Sequence, residues 1–146
     1  MKNITYCCPF CGTIHEIEST TCTICNYEGK FLKNIHMENK EELFFLEIQN
    51  YETNDTKAVT IMIHVKDEYD EVCLEQYAEI TTNIEGAETI LQQDEILVKT
   101  WSENESLITS LLNSGYFEDT GKKVKVSDWC EASIWKIKNQ LLENVL

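Results

Sequence analysis

Cys8-Pro9-Phe10-Cys11-Gly12 and Cys22-Thr23-Ile24-Cys25-Asn26 repeat one pattern, a tight turn that presents two sulfurs to the same point. Tetrahedral metal coordination by thiolates needs two such pairs. Gly12 and Asn26 each follow a second cysteine, where the chain often turns left-handed, and these residue types visit that conformation most cheaply. The ten residues from Gly12 to Thr21 between the pairs suffice for a short hairpin. The spacing therefore predicts a zinc ribbon over residues 1–35, with Cys8, Cys11, Cys22 and Cys25 holding one structural Zn²⁺ per chain.

Working outward, the N-terminal Met-Lys-Asn-Ile-Thr-Tyr-Cys-Cys has no apolar run before its cysteines, which argues against secretion and for a reducing cytoplasm. In a reducing compartment the seven cysteines point to metal rather than to disulfides, the competing reading. Cys7 is an alternative ligand to Cys8, although Cys8 has the better two-residue spacer, and His15 and His36 are substitutes that four thiolates make unnecessary. A closed four-sulfur shell leaves no position for water or substrate, so the site reads as structural.

Beyond a polar joint at residues 36–42 the pattern changes to period two, the mark of strands. Phe44, Leu46 and Ile48 alternate with Phe45, Glu47 and Gln49, and Val59, Ile61, Ile63 and Val65 alternate with Thr60, Met62 and His64. Thr53-Asn54-Asp55-Thr56 between them is turn material, so an antiparallel hairpin is expected. A third strand is expected within 72–84, a fourth over 95–100 and a last one over 132–138. Ser102 and Glu105 read as a capping box and Gly115 as the stop of one main helix, whose stripe Leu107, Ile108, Leu111 and Leu112 would cover the sheet. Leu141, Leu142, Val145 and Leu146 suggest a packing helix at the end of the chain. The fold class is thus α+β: a four-cysteine zinc ribbon, then an acidic antiparallel sheet domain over 43–146 covered by one main helix.

Charge is unevenly placed. Lys2, Lys30, Lys33 and Lys40 balance Glu16, Glu18, Glu28 and Glu38, so the whole net charge of −14 belongs to residues 41–146. All twelve basic residues are lysines, and without arginine forks direct nucleic-acid binding is not expected. No apolar run is long enough to span a membrane. Ten carboxylates and no lysine lie between Lys66 and Lys99: Asp67, Glu68, Asp70, Glu71, Glu75, Glu79, Glu85, Glu88, Asp94 and Glu95. Glu71, Glu75 and Glu79 are expected on one strand face, about 13 Å apart. Taken alone the stretch reads as a solvated sheet face with loops; the competing reading makes the first eight of the ten a partner surface, complementary to a basic one such as the nucleic-acid-binding groove of another protein. His64, Asp128 and Cys130 could in principle meet as a thiol nucleophile with a base, and no local motif supports it. Cys73 and Cys130 read as small buried hydrophobes.

The segments 78–84 (Ala-Glu-Ile-Thr-Thr-Asn-Ile), 98–104 (Val-Lys-Thr-Trp-Ser-Glu-Asn), 111–121 (Leu-Leu-Asn-Ser-Gly-Tyr-Phe-Glu-Asp-Thr-Gly) and 127–137 (Ser-Asp-Trp-Cys-Glu-Ala-Ser-Ile-Trp-Lys-Ile) resemble, in that order, a family of small acidic proteins without an agreed activity. The family is carried by conjugative elements, plasmids and phages of low-GC Gram-positive bacteria, often near antirestriction genes. The likeness covers about residues 43–138 and departs at Ala132-Ser133, where a Tyr-Pro pair is usual. It implies company that favours a non-enzymatic inhibitor of host defence, of the anti-CRISPR or antirestriction type. A zinc-ribbon adaptor linked to transcription is the alternative reading. A nuclease or hydrolase acting on guide RNA or a nucleotide signal is the third.

Overall fold

The computed structural model describes residues 5–17, 19–37, 40–51 and 56–138. Three short strands come first: β1 (Tyr6–Cys7), β2 (Ile14–His15) and β3 (Leu32–Ile35). The body follows with β4 (Leu43–Asn50), β5 (Lys57–Lys66), β6 (Val72–Glu79), α1 (Ala87–Ile90), β7 (Glu95–Val98), a 3₁₀ segment Ser102–Leu107 that leads into α2 (Ile108–Asn113), β8 (Phe117–Lys125) and β9 (Glu131–Ile137). The α+β class is therefore present, and strand dominates it.

The strands form two antiparallel sheets, one of order β2-β1-β3-β4-β5-β6 and one of order β7-β9-β8. Strand β3 pairs with β1 through Tyr6↔Lys33 and with β4 through Lys33↔Leu46 and Ile35↔Phe44. One hydrogen-bonded sheet thus runs from the cysteine turns into the body. Within the segment read as a joint, Met37 is buried in the main core.

The alternation in β4 and β5 has the physical effect expected of it. Phe44, Leu46, Val59 and Ile61 point to one face and meet Ile96, Val98, Phe117, Trp135 and Ile137 of the second sheet, with Leu107 and Leu111 closing the side. The opposite face of the first sheet has a smaller cluster, in which Cys7, Leu32 and Phe45 pack with Met62 and Leu74. The two sheets join at their ends, where Thr82 donates to the Leu97 carbonyl and Lys99 to that of Ile80. Asn104 is fully buried and ties the 3₁₀ segment to both, donating from Nδ2 to the carbonyls of Glu79 (2.9 Å) and Lys99 (3.0 Å).

Several expectations need correction. One main helix covering a single sheet is replaced by a second sheet, with a 3₁₀ segment and a short α2 beside it. The capping box does not form: Ser102 sits at φ 60°, Trp101 occupies the N-cap position, and no side chain caps the segment. The stop at Gly115 is as expected, with φ 83°, a conformation that favours glycine. Strand β8 was unforeseen because Phe117 and Val124 are its only large apolar positions. A register shift in β6 pairs Ile61 with Ala78 but Met62 with Gln76, leaving Tyr77 as an unpaired bulge. Cross-strand partners share a face, so Glu75 lies on the face of Ile63 and Glu79 on that of Thr60. Successive residues of β5 face opposite ways, and Glu75 and Glu79 therefore do not form one stripe. The tail from residue 139 and turn residues 53–55 lie outside the described residues.

Candidate metal centre

The two cysteine turns are built alike. Cys8 N–H donates to the Thr13 carbonyl (3.0 Å) and Gly12 N–H to that of Cys8 (2.9 Å); in the second turn Cys22 N–H donates to Tyr27 (2.8 Å) and Asn26 N–H to Cys22 (2.9 Å). Gly12 and Asn26 close them at φ 76° and 65°, as the sequence required. The first turn sits in the β1–β2 hairpin and the second is closed by a bridge between Thr21 and Glu28.

These turns bring Cys8, Cys11, Cys22 and Cys25 together with all four sulfurs within 4.8 Å of one another. Cys8 Sγ lies 3.7 Å from Cys25 Sγ, and Cys11 Sγ lies 3.7 Å from Cys22 Sγ. Each contact crosses from one turn to the other. A disulfide would need about 2.05 Å, and all seven cysteines are free. The arrangement is a tetrahedral-like thiol cluster compatible with a metal site.

Neighbouring groups serve the sulfurs. Thr13 Oγ1 is 2.9 Å from Cys11 Sγ, and His15 Nε2 is 3.5 Å from Cys22 Sγ while its ring stacks on Phe31 at 4.8 Å. Burial pushes the Cys8 thiol up and the Cys25 thiol to about 12, in the latter case with Cys11, Cys22 and Cys8 adding to the effect. Burial acts the same way on Cys11, but hydrogen bonds from the hydroxyl and N–H of Thr13 and from Cys25 and Cys22 outweigh it and lower that thiol to about 7. Cys7 is outside the cluster. Its sulfur faces the Cys8 carbonyl at 3.5 Å and packs with Leu32 and Phe45, and burial first, then the neighbouring cysteines, push it to about 12.

His64 and Thr13 are the supporting residues that spacing did not single out. From β5, His64 Nε2 donates to the Gly12 carbonyl at 2.8 Å. Because a carbonyl only accepts, this bond fixes the proton on Nε2. Thr13 was visible in the sequence as a hydroxyl two residues past a ligand, and His64 only as one polar member of a strand. His64 shares no hydrogen bond with Asp128 or Cys130 among the described residues. Asp128 pairs instead with Lys125 (3.7 Å), and Cys130 N–H bonds Ser127 Oγ. Cys73, expected to be buried, is exposed.

The carboxylates of the acidic stretch divide into two groups. Glu95 is buried and pairs with Lys122 at 2.9 Å, and Asp94 pairs with Lys136 at 3.5 Å. The remaining eight, Asp67, Glu68, Asp70, Glu71, Glu75, Glu79, Glu85 and Glu88, are all exposed. None takes part in the ion pairs seen among the described residues. Asp67 also shapes the β5–β6 turn, accepting from the N–H groups of Tyr69 (2.8 Å) and Glu71 (2.9 Å). Among the described residues no helix is long and apolar enough to cross a membrane.

No protein-family model, curated protein or solved structure matches the chain.

Proposed function

We propose that this chain is a zinc-stapled, non-enzymatic inhibitor from a mobile element, acting in the bacterial cytoplasm by presenting carboxylates to the basic groove of a host nucleic-acid-targeting complex. Zinc suits the thiol cluster in softness and size: four sulfurs about 2.3 Å from a tetrahedral centre lie about 3.8 Å apart, close to the 3.7 Å contacts here. With its shell closed by four thiolates the ion supplies folding energy rather than chemistry.

The observation that carries the functional reading is the set of eight exposed carboxylates that take no part in the ion pairs seen among the described residues, in a chain that has no arginine. Opposite potentials speed encounter and set orientation, and their attraction is screened over about 10 Å at 0.1 M salt. The resemblance of residues 43–138 to small acidic proteins of conjugative elements supports a defence complex as the target. The test is binding of the purified protein to CRISPR effectors and restriction enzymes, with nucleic acid as competitor. Inhibition should be relieved by salt and lost on reversing Glu68, Glu71, Glu75 and Glu79 to lysine. Binding that ignores ionic strength would refute the mechanism.

A second reading, an adaptor that docks through the cysteine turns, is favoured by Phe10 and Ile24. These residues occupy the middle of each turn and are 77% and 68% exposed, so each turn offers an apolar tip to a partner. Loss of partner binding in Phe10→Ser and Ile24→Ser, with the charge reversals silent, would select it.

A further inference from the structure

Strand β6 carries two consecutive side chains on one face. Ala78 pairs with Ile61 and is buried in the main core, and its neighbour Tyr77 meets Phe44 of the same core edge-on at 4.9 Å. Successive residues of a regular strand face opposite ways, so the bulge at Tyr77 is what turns this ring to the core side. Bulges recur beside functional sites, where they re-aim one side chain.

Here the ring is turned onto a cleft. The cleft, about 580 Å³, lies at the seam where the two sheets join, and Tyr51, Tyr77 and Trp101 bring rings to it from three separate parts of the chain. Its volume suits a small molecule. Tyr77 is 38% exposed, and Tyr51 and Trp101 are half-buried, so the rings border the space without filling it.

The polar part of the wall is ordered by a relay. Val59 N–H donates to Thr81 Oγ1 (3.1 Å), Thr81 Oγ1 lies 2.9 Å from the Tyr51 hydroxyl, and that hydroxyl donates to Glu79 Oε1 (3.3 Å). Burial, aided by Glu79, outweighs the Thr81 bond and pushes the Tyr51 hydroxyl up, which keeps it protonated as a donor. A carboxylate has about four acceptor positions, so Glu79 can receive donors from a ligand as well. Lys99 lines the same cleft. The wall therefore carries one charge of each sign and favours neither an anion nor a cation.

We propose that this cleft binds an uncharged nucleobase bearing an amino group, as a nucleoside, stacked on Tyr77 and Trp101 with its amino edge toward Glu79. A planar ring is the body that several aromatic faces can touch at once, and base stacking on such rings supplies affinity whatever the base. Choice among bases comes from the carboxylate, which accepts from amino groups such as cytosine N4. A phosphate on the ligand is disfavoured by a chain of net charge −14. The site goes beyond the groove-blocking reading and does not depend on it, although Glu79 is common to both.

The test titrates zinc-loaded full-length protein, with no effector present, with cytidine, adenosine, uridine, cytidine 5′-monophosphate and methyl glucoside, following backbone amide and indole NMR shifts. Saturable shifts centred on residues 76–83 and 99–101 are expected for cytidine and adenosine, with weaker binding of uridine, which has no amino group, and of the monophosphate. Tyr77→Leu keeps an apolar cover over Phe44 and should weaken cytidine at least about tenfold, the loss of one stacking face, whereas Tyr77→Phe should keep it. Glu79→Gln should erase the preference for cytidine over uridine. Tyr77→Leu changes no carboxylate, so it should still inhibit an effector if the groove-blocking reading holds, and either reading can fail alone. No saturable response to any nucleoside, an equal response to methyl glucoside, equal cytidine binding by wild type and Tyr77→Leu, or tighter binding of the monophosphate than of cytidine would each overturn the proposal.

Discussion

His64 Nε2 lies 2.8 Å from the carbonyl oxygen of Gly12, so a body strand holds the backbone of the first cysteine turn in place. Val72, at the start of β6, presses on the same glycine: a Cβ built there would meet Val72 Cγ1 at 2.8 Å. The thiol cluster is therefore braced from outside as well as by its own turns. Replacing His64 by leucine should cost about 1 kcal/mol of stability and speed zinc loss to a chromophoric chelator. Unchanged release kinetics would show that the bond does not brace the turn.

Metal removal should separate Cys7 from its neighbours. Serine at any of Cys8, Cys11, Cys22 or Cys25 should abolish stoichiometric zinc, measured by mass spectrometry under native conditions, and should unfold the turns. Cys7→Ser should keep about one zinc per chain, since its sulfur faces the cluster of Leu32 and Phe45. It should still lower stability by about 1–2 kcal/mol by burying a hydroxyl among apolar groups.

Acid should expel the metal. Protons compete with zinc for sulfur, and the raised Cys8 and Cys25 thiols are protonated at neutral pH in the metal-free protein. Zinc binding at pH 7 should therefore release about two protons or more, so apparent affinity rises with pH and falls in acid. Calorimetry in buffers of differing ionisation enthalpy measures that number, and a value near zero would contradict the assignment of these thiols.

Glu95 gives a second pH effect. Burial raises its carboxyl, but the Gln92 N–H at 2.9 Å and the Lys122 ammonium outweigh that and hold it below the usual range. A depressed carboxyl contributes stability above its unfolded value, about 4.3, and loses it as pH falls through the folded value. Glu95→Gln should cost about 1 kcal/mol at pH 7 and nothing once both forms are neutral. Denaturant unfolding at pH 7 and pH 3 compares the two.

How much of this was legible in the chain depends on how local each cause is. The cysteine turns were, because spacing and the left-handed residues Gly12 and Asn26 act within five residues. Strands β4, β5, β7 and β9 were, because their alternation or apolar run is set by a buried face. Strand β8 was not: it leans on β9 through backbone bonds and is mostly exposed, so its composition carries little pattern. The Ser102–Glu105 pair had the spacing of a capping box, but Ser102 adopts a left-handed conformation instead. The bulge at Tyr77 leaves no mark in the alternation before it, and a missed bulge moves every later side chain to the other face. Phe31 leaves the β3–β4 ladder because it packs with Cys8 and stacks on His15, both far back along the chain, a choice no local window contains.

Strand β6 is the outer margin of the six-stranded sheet, and such margins invite another chain to zip on. Here the kink at Tyr77 breaks the flat run of backbone donors, and Glu75 and Glu79 set a repelling group above and below it. An approaching copy would meet like charge on either side and a rung out of step in the middle. The acidic side chains of this border thus work against recruiting its own kind into fibrils, and neutralising them should expose that tendency as turbidity.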